Sequence, residues 1–232
     1  MIASSLLAWC LDLVFPKYCA GCGTEGPFLC TPCAGRLVSA PPSCPVCHRR
    51  NLSAILCGSC EAKSGLRRFY APFSYRDPLI RELIHTFKYG GVRELAQPLG
   101  SAVAGALERH ALRPRGPALL VPIPLHRTRL RSRGFNQAVL LARELGSRLQ
   151  LPVAEALDRR RAARPQVEMP DHASRRANVE GAFRIRDAAS VAGRTAILID
   201  DVSTSGATLG EAARVLRAAG CRTVWAVVIA KG

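Results

Sequence analysis

Ala196 to Thr208 reads A-I-L-I-D-D-V-S-T-S-G-A-T. A short apolar run, Thr195 to Ile199, has strand length and ends on two carboxylates, Asp200 and Asp201. The turn that follows is built of small and hydroxylic residues, and a helix from Leu209 to Ala219 comes next. Leu209, Ala212, Ala213 and Leu216 line that helix, and Gly220 closes it. Strand, turn and helix in this order carry the acids to the C-terminal edge of an open sheet, where such sheets bind ligands. Ser203, Thr204, Ser205, Gly206, Ala207 and Thr208 supply hydroxyls and backbone N–H groups that can surround a phosphate, and the helix N-terminus favours negative charge. The turn holds no lysine, which separates it from the nucleoside-triphosphate P-loop. A phosphate in the turn beside two carboxylates for hydroxyl groups points to a sugar phosphate.

Outward from this stretch, strands alternate with helices. Thr223 to Ala230 reads as a buried strand, and Ala118 to Ile123 as another that stops at Pro122 and Pro124. Phe69 to Tyr75 alternates, placing Phe69, Ala71, Phe73 and Tyr75 on one face. Asp77 and Pro78 then cap and open a helix that Gly90-Gly91 ends. Helices are expected over Glu94 to His110 and Asn136 to Leu149, and a strand over Leu151 to Leu157. His126 to Gly134 reads as a loop carrying arginines at 127, 129, 131 and 133. Asp158 to Glu180 reads as a long loop or hairpin, with a return strand from Ala182 to Ile185. The pattern predicts an α/β domain, a mainly parallel sheet with helices on both faces, over residues 64–232. Its entry region is 64–117 and its core 118–232.

A cysteine module precedes this body. Eight of ten cysteines fall in four C-x-x-C pairs: Cys19/Cys22, Cys30/Cys33, Cys44/Cys47 and Cys57/Cys60. Two such pairs make a tetrahedral four-thiolate site suited to Zn²⁺, so four pairs make two sites. Sequential pairing is the simplest arrangement, and a cross-braced one fits the spacing equally. Residues 16–63 hold too few large apolar side chains for a core, so the two zinc ions read as structural. A redox role for one pair is the other reading of C-x-x-C. Cys10 and Cys221, in apolar contexts, read as buried small side chains.

Composition bounds the rest. The 232 residues are 48% hydrophobic and 22% charged, an ordinary globular balance. No apolar run is long enough to span a membrane, so stable membrane insertion is not expected. Residues 1–15 read as an apolar helix without a leading basic residue or a cleavage site, which suggests cytoplasmic location rather than export. The net charge is +16, and residues 109–194 concentrate it, with eighteen arginines against seven acids. That stretch suits phosphate esters, nucleic acid or an acidic partner. Arginine outnumbers lysine 29 to 4, a bias that genome base composition alone could produce.

The Ala196–Thr208 segment resembles, position by position, the thirteen-residue fingerprint of type I phosphoribosyltransferases. Further motifs follow in order: F-K-Y-G-G (Phe87 to Gly91), V-P-I-P-L-H (Val121 to His126), R-G-F-N-Q (Arg133 to Gln137), Pro165-Gln166 and R-x-N-V-x-G-A-F (Arg176 to Phe183). With the cysteine module, this order is similar to the ComF family, a double zinc ribbon fused to a phosphoribosyltransferase-type domain. The resemblance implies 5-phosphoribosyl-1-pyrophosphate, with Mg²⁺, as ligand. It places Asp200 and Asp201 on the ribose and Ser203 to Thr208 on the 5′-phosphate. Leu125 to Gly134 takes the place of the pyrophosphate loop, with Arg133 the foremost candidate and Arg127, Arg129 and Arg131 behind it. Arg164 to Asn178 takes the place of the lid, from which Arg175 or Arg176 would close over the pyrophosphate, and Lys88 could assist. It also implies an association with DNA uptake in natural competence, single-stranded DNA and DNA-processing proteins as partners, and an unidentified acceptor. A non-catalytic role, sensing the ligand or binding single-stranded DNA, is the competing reading. His126 reads as structural.

Overall fold

The structure is a computed structural model that describes residues 16–160 and 179–232. The expected N-terminal helix, Cys10 and the expected lid, with Pro165, Gln166, Arg175 and Arg176, lie outside the described residues. In chain order the elements are α1 (Thr31–Gly35), α2 (Gly58–Ser64), β1 (Arg68–Tyr70), β2 (Phe73–Ser74) and α3 (Pro78–Tyr89). A 3-10 turn (Arg93–Leu95) leads into α4 (Ala96–Arg109), then β3 (Ala118–Pro122), α5 (Arg127–Arg133) and α6 (Gln137–Leu149). The chain continues with β4 (Leu157–Arg159), β5 (Phe183–Ile185), β6 (Thr195–Ser203), α7 (Ala207–Ala218) and β7 (Thr223–Lys231).

The main sheet is parallel throughout, in the order β1-β7-β6-β3, with β2 also paired to β7. Its inner strands are apolar on both sides, as a sheet covered on both faces requires. Ile197, Ile199, Trp225, Val227 and Ile229 face α3, α4 and α6 with Leu83, Phe87, Leu99 and Leu141. Ala196, Leu198, Val224, Ala226 and Val228 face α7 with Leu209, Ala213 and Leu216. The cysteine module straddles this sandwich: Cys19, Leu29 and Cys33 belong to the first core, and Cys44, Leu56 and Cys60 to the second. β4 and β5 form a separate antiparallel ribbon.

Several local expectations change. Phe69 to Tyr75 is two strands rather than one, broken at Ala71-Pro72. Phe69 and Ala71 pack on the α7 side, whereas Tyr70, Phe73 and Tyr75 pack on the other. Proline lacks the N–H a continuous ladder needs, and the break reverses the facing of the residues after it. The strand through the acids does not stop at Ile199 but runs to Ser203, paired with β7 as far as Lys231. Leu151 to Leu157 contributes one parallel bridge, Val153 to Leu120, and the regular strand starts only at Leu157. His126 to Gly134 is a helix. Asp77 caps α3 as expected, its Oδ1 accepting from the N–H of Leu79 at 2.9 Å and of Ile80 at 3.1 Å.

Candidate functional site

At the C-terminal edge of β3 and β6 lies a cleft of about 890 Å³. Lys88 and Tyr89 reach it from α3, Arg129 and Arg133 from α5, Gln137 from α6, Arg159 from β4 and Asp200 and Asp201 from β6. Thr204 and Thr208 come from the turn and α7. Adjacent strand residues point to opposite faces, so the two acids diverge. Asp201 turns to the α3 and α6 side, where it is almost fully buried. Its Oδ1 takes the Lys88 ammonium at 2.5 Å and its Oδ2 accepts from Gln137 Nε2 at 2.5 Å. Asp200 turns the other way, toward Arg159, and is half-buried. Its Oδ1 accepts from the Asp201 N–H at 2.9 Å.

Burial, and then the neighbouring Asp201 carboxylate, push Asp200 up to about 7, against the pull of Lys88 and Arg159. Burial works against the charge on Lys88, but Asp201 and then Asp200 outweigh it, and the ammonium is held above its ordinary value. The cleft therefore contains a lysine already committed to a carboxylate and an acid poised near neutrality. Arg133 lies over the Tyr89 ring at 5.1 Å.

The turn after β6 faces two ways. Thr204 and Thr208 line the cleft. Ser205, Gly206 and Ala207 line a cavity of about 550 Å³ on the other side, against Val46, Lys63 and Glu211. Gly206 holds φ +73°, a left-handed conformation that suits glycine, and starts α7. Ser203 is buried with no partner for its Oγ, and Gln137 Oε1 is likewise without one. These are two of the four such buried side-chain atoms among the described residues. Of these, Gln137 lines the cleft, while Ser203 lies at the end of β6 behind it.

The cysteines form two sequential clusters. Cys19, Cys22, Cys30 and Cys33 place all their sulfurs within 4.8 Å of one another, as do Cys44, Cys47 and Cys60. Cys57 completes the second, its Sγ 3.9 Å from that of Cys47. In each unit the first pair sits in a short hairpin, closed by the bridges Tyr18–Glu25 and Ser43–Arg50. The second pair sits at the start of α1 or α2. At Gly21 a Cβ would come within 2.8 Å of Cys33 Sγ, so the first hairpin has no room for a side chain there. Sulfur separations of 3.5, 3.7 and 3.9 Å match the edge of about 3.8 Å that a tetrahedron with Zn–S of ~2.3 Å requires. They far exceed a disulfide length of about 2.05 Å. The Cys57 thiol is lowered to about 6 by the side chains of Cys60 and Ser59. Burial raises the Cys19 thiol, but the N–H groups of Cys30 and Gly21 prevail and hold it at about 6. The donor set and spacing fit a metal ion in each unit.

Of the residues singled out from the sequence, the cleft gathers Lys88, Arg129, Arg133, Asp200, Asp201, Thr204 and Thr208. Arg127 lies instead in a neighbouring groove, and Arg131 lines neither. His126 caps α5, its Nδ1 accepting from the Thr128 N–H at 3.4 Å. Cys221 is buried, as its context suggested. Gln137, Arg159 and Tyr75 are cleft residues that the sequence reading did not single out. Gln137 stood in the quoted R-G-F-N-Q run, one residue past the helix cap, which was the available signal. Arg159 and Tyr75 carried none.

The adjoining groove, about 750 Å³, shares Leu125 and Arg159 with the cleft. Arg93, Arg127, Arg143, Arg160, Arg184 and Arg186 also line it, against Glu155 and Asp158. Among the described residues no helix is long and apolar enough to cross a membrane.

Residues 133–232 match the phosphoribosyl transferase domain family. The chain is 32% identical over 202 residues to the DNA utilization protein YhgH of Escherichia coli O157:H7, spanning 84% of this chain and 87% of that one. It is 31% identical over 180 residues to competence protein ComFC of Bacillus subtilis, spanning 75% and 70% of the two chains. It is 29% identical over 221 residues to competence protein F of Haemophilus influenzae, spanning 85% and 94%. A solved allosteric regulatory enzyme of purine biosynthesis superposes with a TM-score of only 0.37 at 16% identity, over 58% of this chain and 26% of that one. Identity carried across most of both lengths relates whole proteins rather than one shared segment, and the chain belongs to the ComF family of competence and DNA utilization proteins.

Proposed function

We propose that the cleft binds 5-phosphoribosyl-1-pyrophosphate and that each cysteine unit holds a structural zinc ion. The observation that carries the ligand reading is the convergence, at one sheet edge, of the turn threonines, the acids of β6 and the cations Lys88 and Arg133. Thr204, Thr208 and the start of α7 hold the 5′-phosphate. Asp200 accepts from the ribose hydroxyls. Arg133, with Arg129 and Lys88, meets the pyrophosphate. Both oxygens of Asp201 are already engaged, so Mg²⁺ would arrive with the ligand's own phosphate oxygens rather than in a protein cage. If transfer occurs, pyrophosphate departs from C1 and positive charge develops on the ribose. The protein's part is to orient the ribose and to stabilise the leaving group through Arg133 and Lys88.

Isothermal titration of the zinc-loaded protein with the ligand and Mg²⁺ tests this. Micromolar binding that disappears in the Asp200→Ala, Asp201→Ala double variant is expected. No binding to folded, zinc-replete protein would overturn it. Pyrophosphate release in the presence of candidate acceptors separates an enzyme from a sensor.

The arginine groove supports a second property, binding of single-stranded nucleic acid through its phosphates. Phe135 beneath Arg93 is only 7% exposed, so the groove offers phosphate contacts without an open stacking platform there. Affinity for a labelled oligonucleotide should fall steeply between 50 and 200 mM salt. A salt-insensitive affinity would exclude this mode.

A further inference from the structure

We infer that Gln137 is a positioning residue for the cleft: it holds Asp201 in place so that Lys88 can pass from that carboxylate to an anionic ligand. This rests on the reading of the cleft as a phosphoribosyl pyrophosphate site. A carboxylate only accepts hydrogen bonds, so the amide nitrogen of Gln137 must be the atom facing Asp201 Oδ2, and the contact fixes the orientation of the amide. The other end, Oε1, is buried without a partner, so the residue is not placed there for its own hydrogen bonding. Its backbone is anchored just before it. Asn136 Oδ1 accepts from the Ala138 N–H at 3.0 Å, and Asn136 Nδ2 donates to the Ile123 carbonyl at 3.0 Å. The start of α6 is thereby tied to the end of β3.

The two partners of Asp201 come from different helices, Lys88 from α3 and Gln137 from α6. They are not equivalent. Lys88 lies on the cleft wall, where a pyrophosphate offers it more negative charge than one carboxylate does. If Lys88 were the sole partner, its departure would leave a buried charge uncompensated, a costly state that would keep the lysine in place. The Gln137 amide remains on Asp201 when Lys88 leaves, and the lysine becomes available to the ligand. Asp200, on the opposite face of the strand, is then the acid that meets the ribose.

Two variants test this, each with folding checked by thermal unfolding. Gln137→Leu removes the amide at similar volume. Affinity for phosphoribosyl pyrophosphate with Mg²⁺ should fall at least about tenfold, the worth of a hydrogen bond to a charged group. Affinity for inorganic phosphate, which needs only the turn, should not change. Gln137→Glu keeps the shape but sets a second carboxylate against Asp201. The groups around that pair are Lys88 from α3, Asp200 from β6, Arg129 and Arg133 from α5 and Arg159 from β4. The added carboxylate holds Lys88 more tightly and weakens ligand binding. In acid the introduced group takes up a proton, which restores a donor to Asp201. The affinity ratio of wild type to Gln137→Glu should therefore shrink with acid. A ratio independent of pH, or a Gln137→Leu variant that binds like wild type, would overturn the inference. Failure of wild type itself to bind would overturn the ligand reading instead.

Discussion

Asp200 sets the pH behaviour of the site. Its value of about 7, against an ordinary 3.8, means that the folded protein holds a proton there which the unfolded chain has released. That proton favours the fold in acid, and the advantage is lost as pH rises from about 4 through 7. Ligand binding runs the opposite way, because the ionised form is the better acceptor for ribose hydroxyls. Affinity for phosphoribosyl pyrophosphate should therefore rise between pH 6 and 8, as titration calorimetry at several pH values would show. Asp200→Asn should lower affinity by about 10- to 100-fold, one or two hydrogen bonds to charge at roughly 1.5–3 kcal/mol. The same change should raise the thermal midpoint of the ligand-free protein at pH 8, since it removes a buried charge. A lowered midpoint would contradict the burial argument. The acid pair was legible as a pair in the sequence. Its division into an engaged Asp201 and an available Asp200 was not, because that depends on side chains 64 and 113 positions away from Asp201, Gln137 and Lys88.

At the scale of elements, α5 shows what a local pattern can conceal. Arg127, Arg129, Arg131 and Arg133 read as loop cations, with Arg133 foremost and the other three undistinguished. Capped by His126 and closed by Gly134, they form a helix, and a helix sorts them. Arg129 and Arg133, four apart, share the face toward the cleft. Arg127 turns to the arginine groove. Arg133→Ala should weaken binding of Mg²⁺-pyrophosphate by about tenfold, in line with a lost charge-assisted contact. Arg131→Ala should leave it unchanged, and equal losses would return the segment to an unsorted cationic loop. The acid strand, the α7 helix, the Asp77 cap and the return strand at Phe183 were all readable because their periodicity and caps are local. The break at Pro72 and the reversal of facing it causes were not read from the sequence: Phe69 to Tyr75 alternates as a single strand would, and the reversal becomes visible only against β7.

Across the whole molecule, the buried cysteines of each unit join a different core, one on either face of the sheet, and Ala54 of the second unit reaches the first. The second unit also touches the turn after β6. Pro45 lies beside Gly206, Lys231 at the end of β7 donates to the Cys44 carbonyl at 3.2 Å, and α2 packs on α7. Metal removal should therefore be felt at the cleft. A strong chelator should lower the thermal midpoint by about 10 °C or more, as a loss of several kcal/mol would in a chain of this size. Affinity for the ligand should fall with it, and both should recover on adding Zn²⁺. Acid should release the metal as the thiolates take up protons. A metal-free protein with an unchanged midpoint and affinity would show the units to be dispensable appendages. The four C-x-x-C pairs announced the metal chemistry, but which core each unit completes depends on packing the spacing does not encode. The position of β7 has a consequence of another kind. It lies between β6 and the β1/β2 edge, so Arg68 is paired with Trp225, 157 positions further along the chain. During synthesis the cysteine units and the first helices leave the ribosome long before the strand that joins them to the sheet. Contacts of such sequence separation form slowly, and until residues 223–231 arrive the nascent chain exposes two unjoined apolar surfaces to chaperones and proteases.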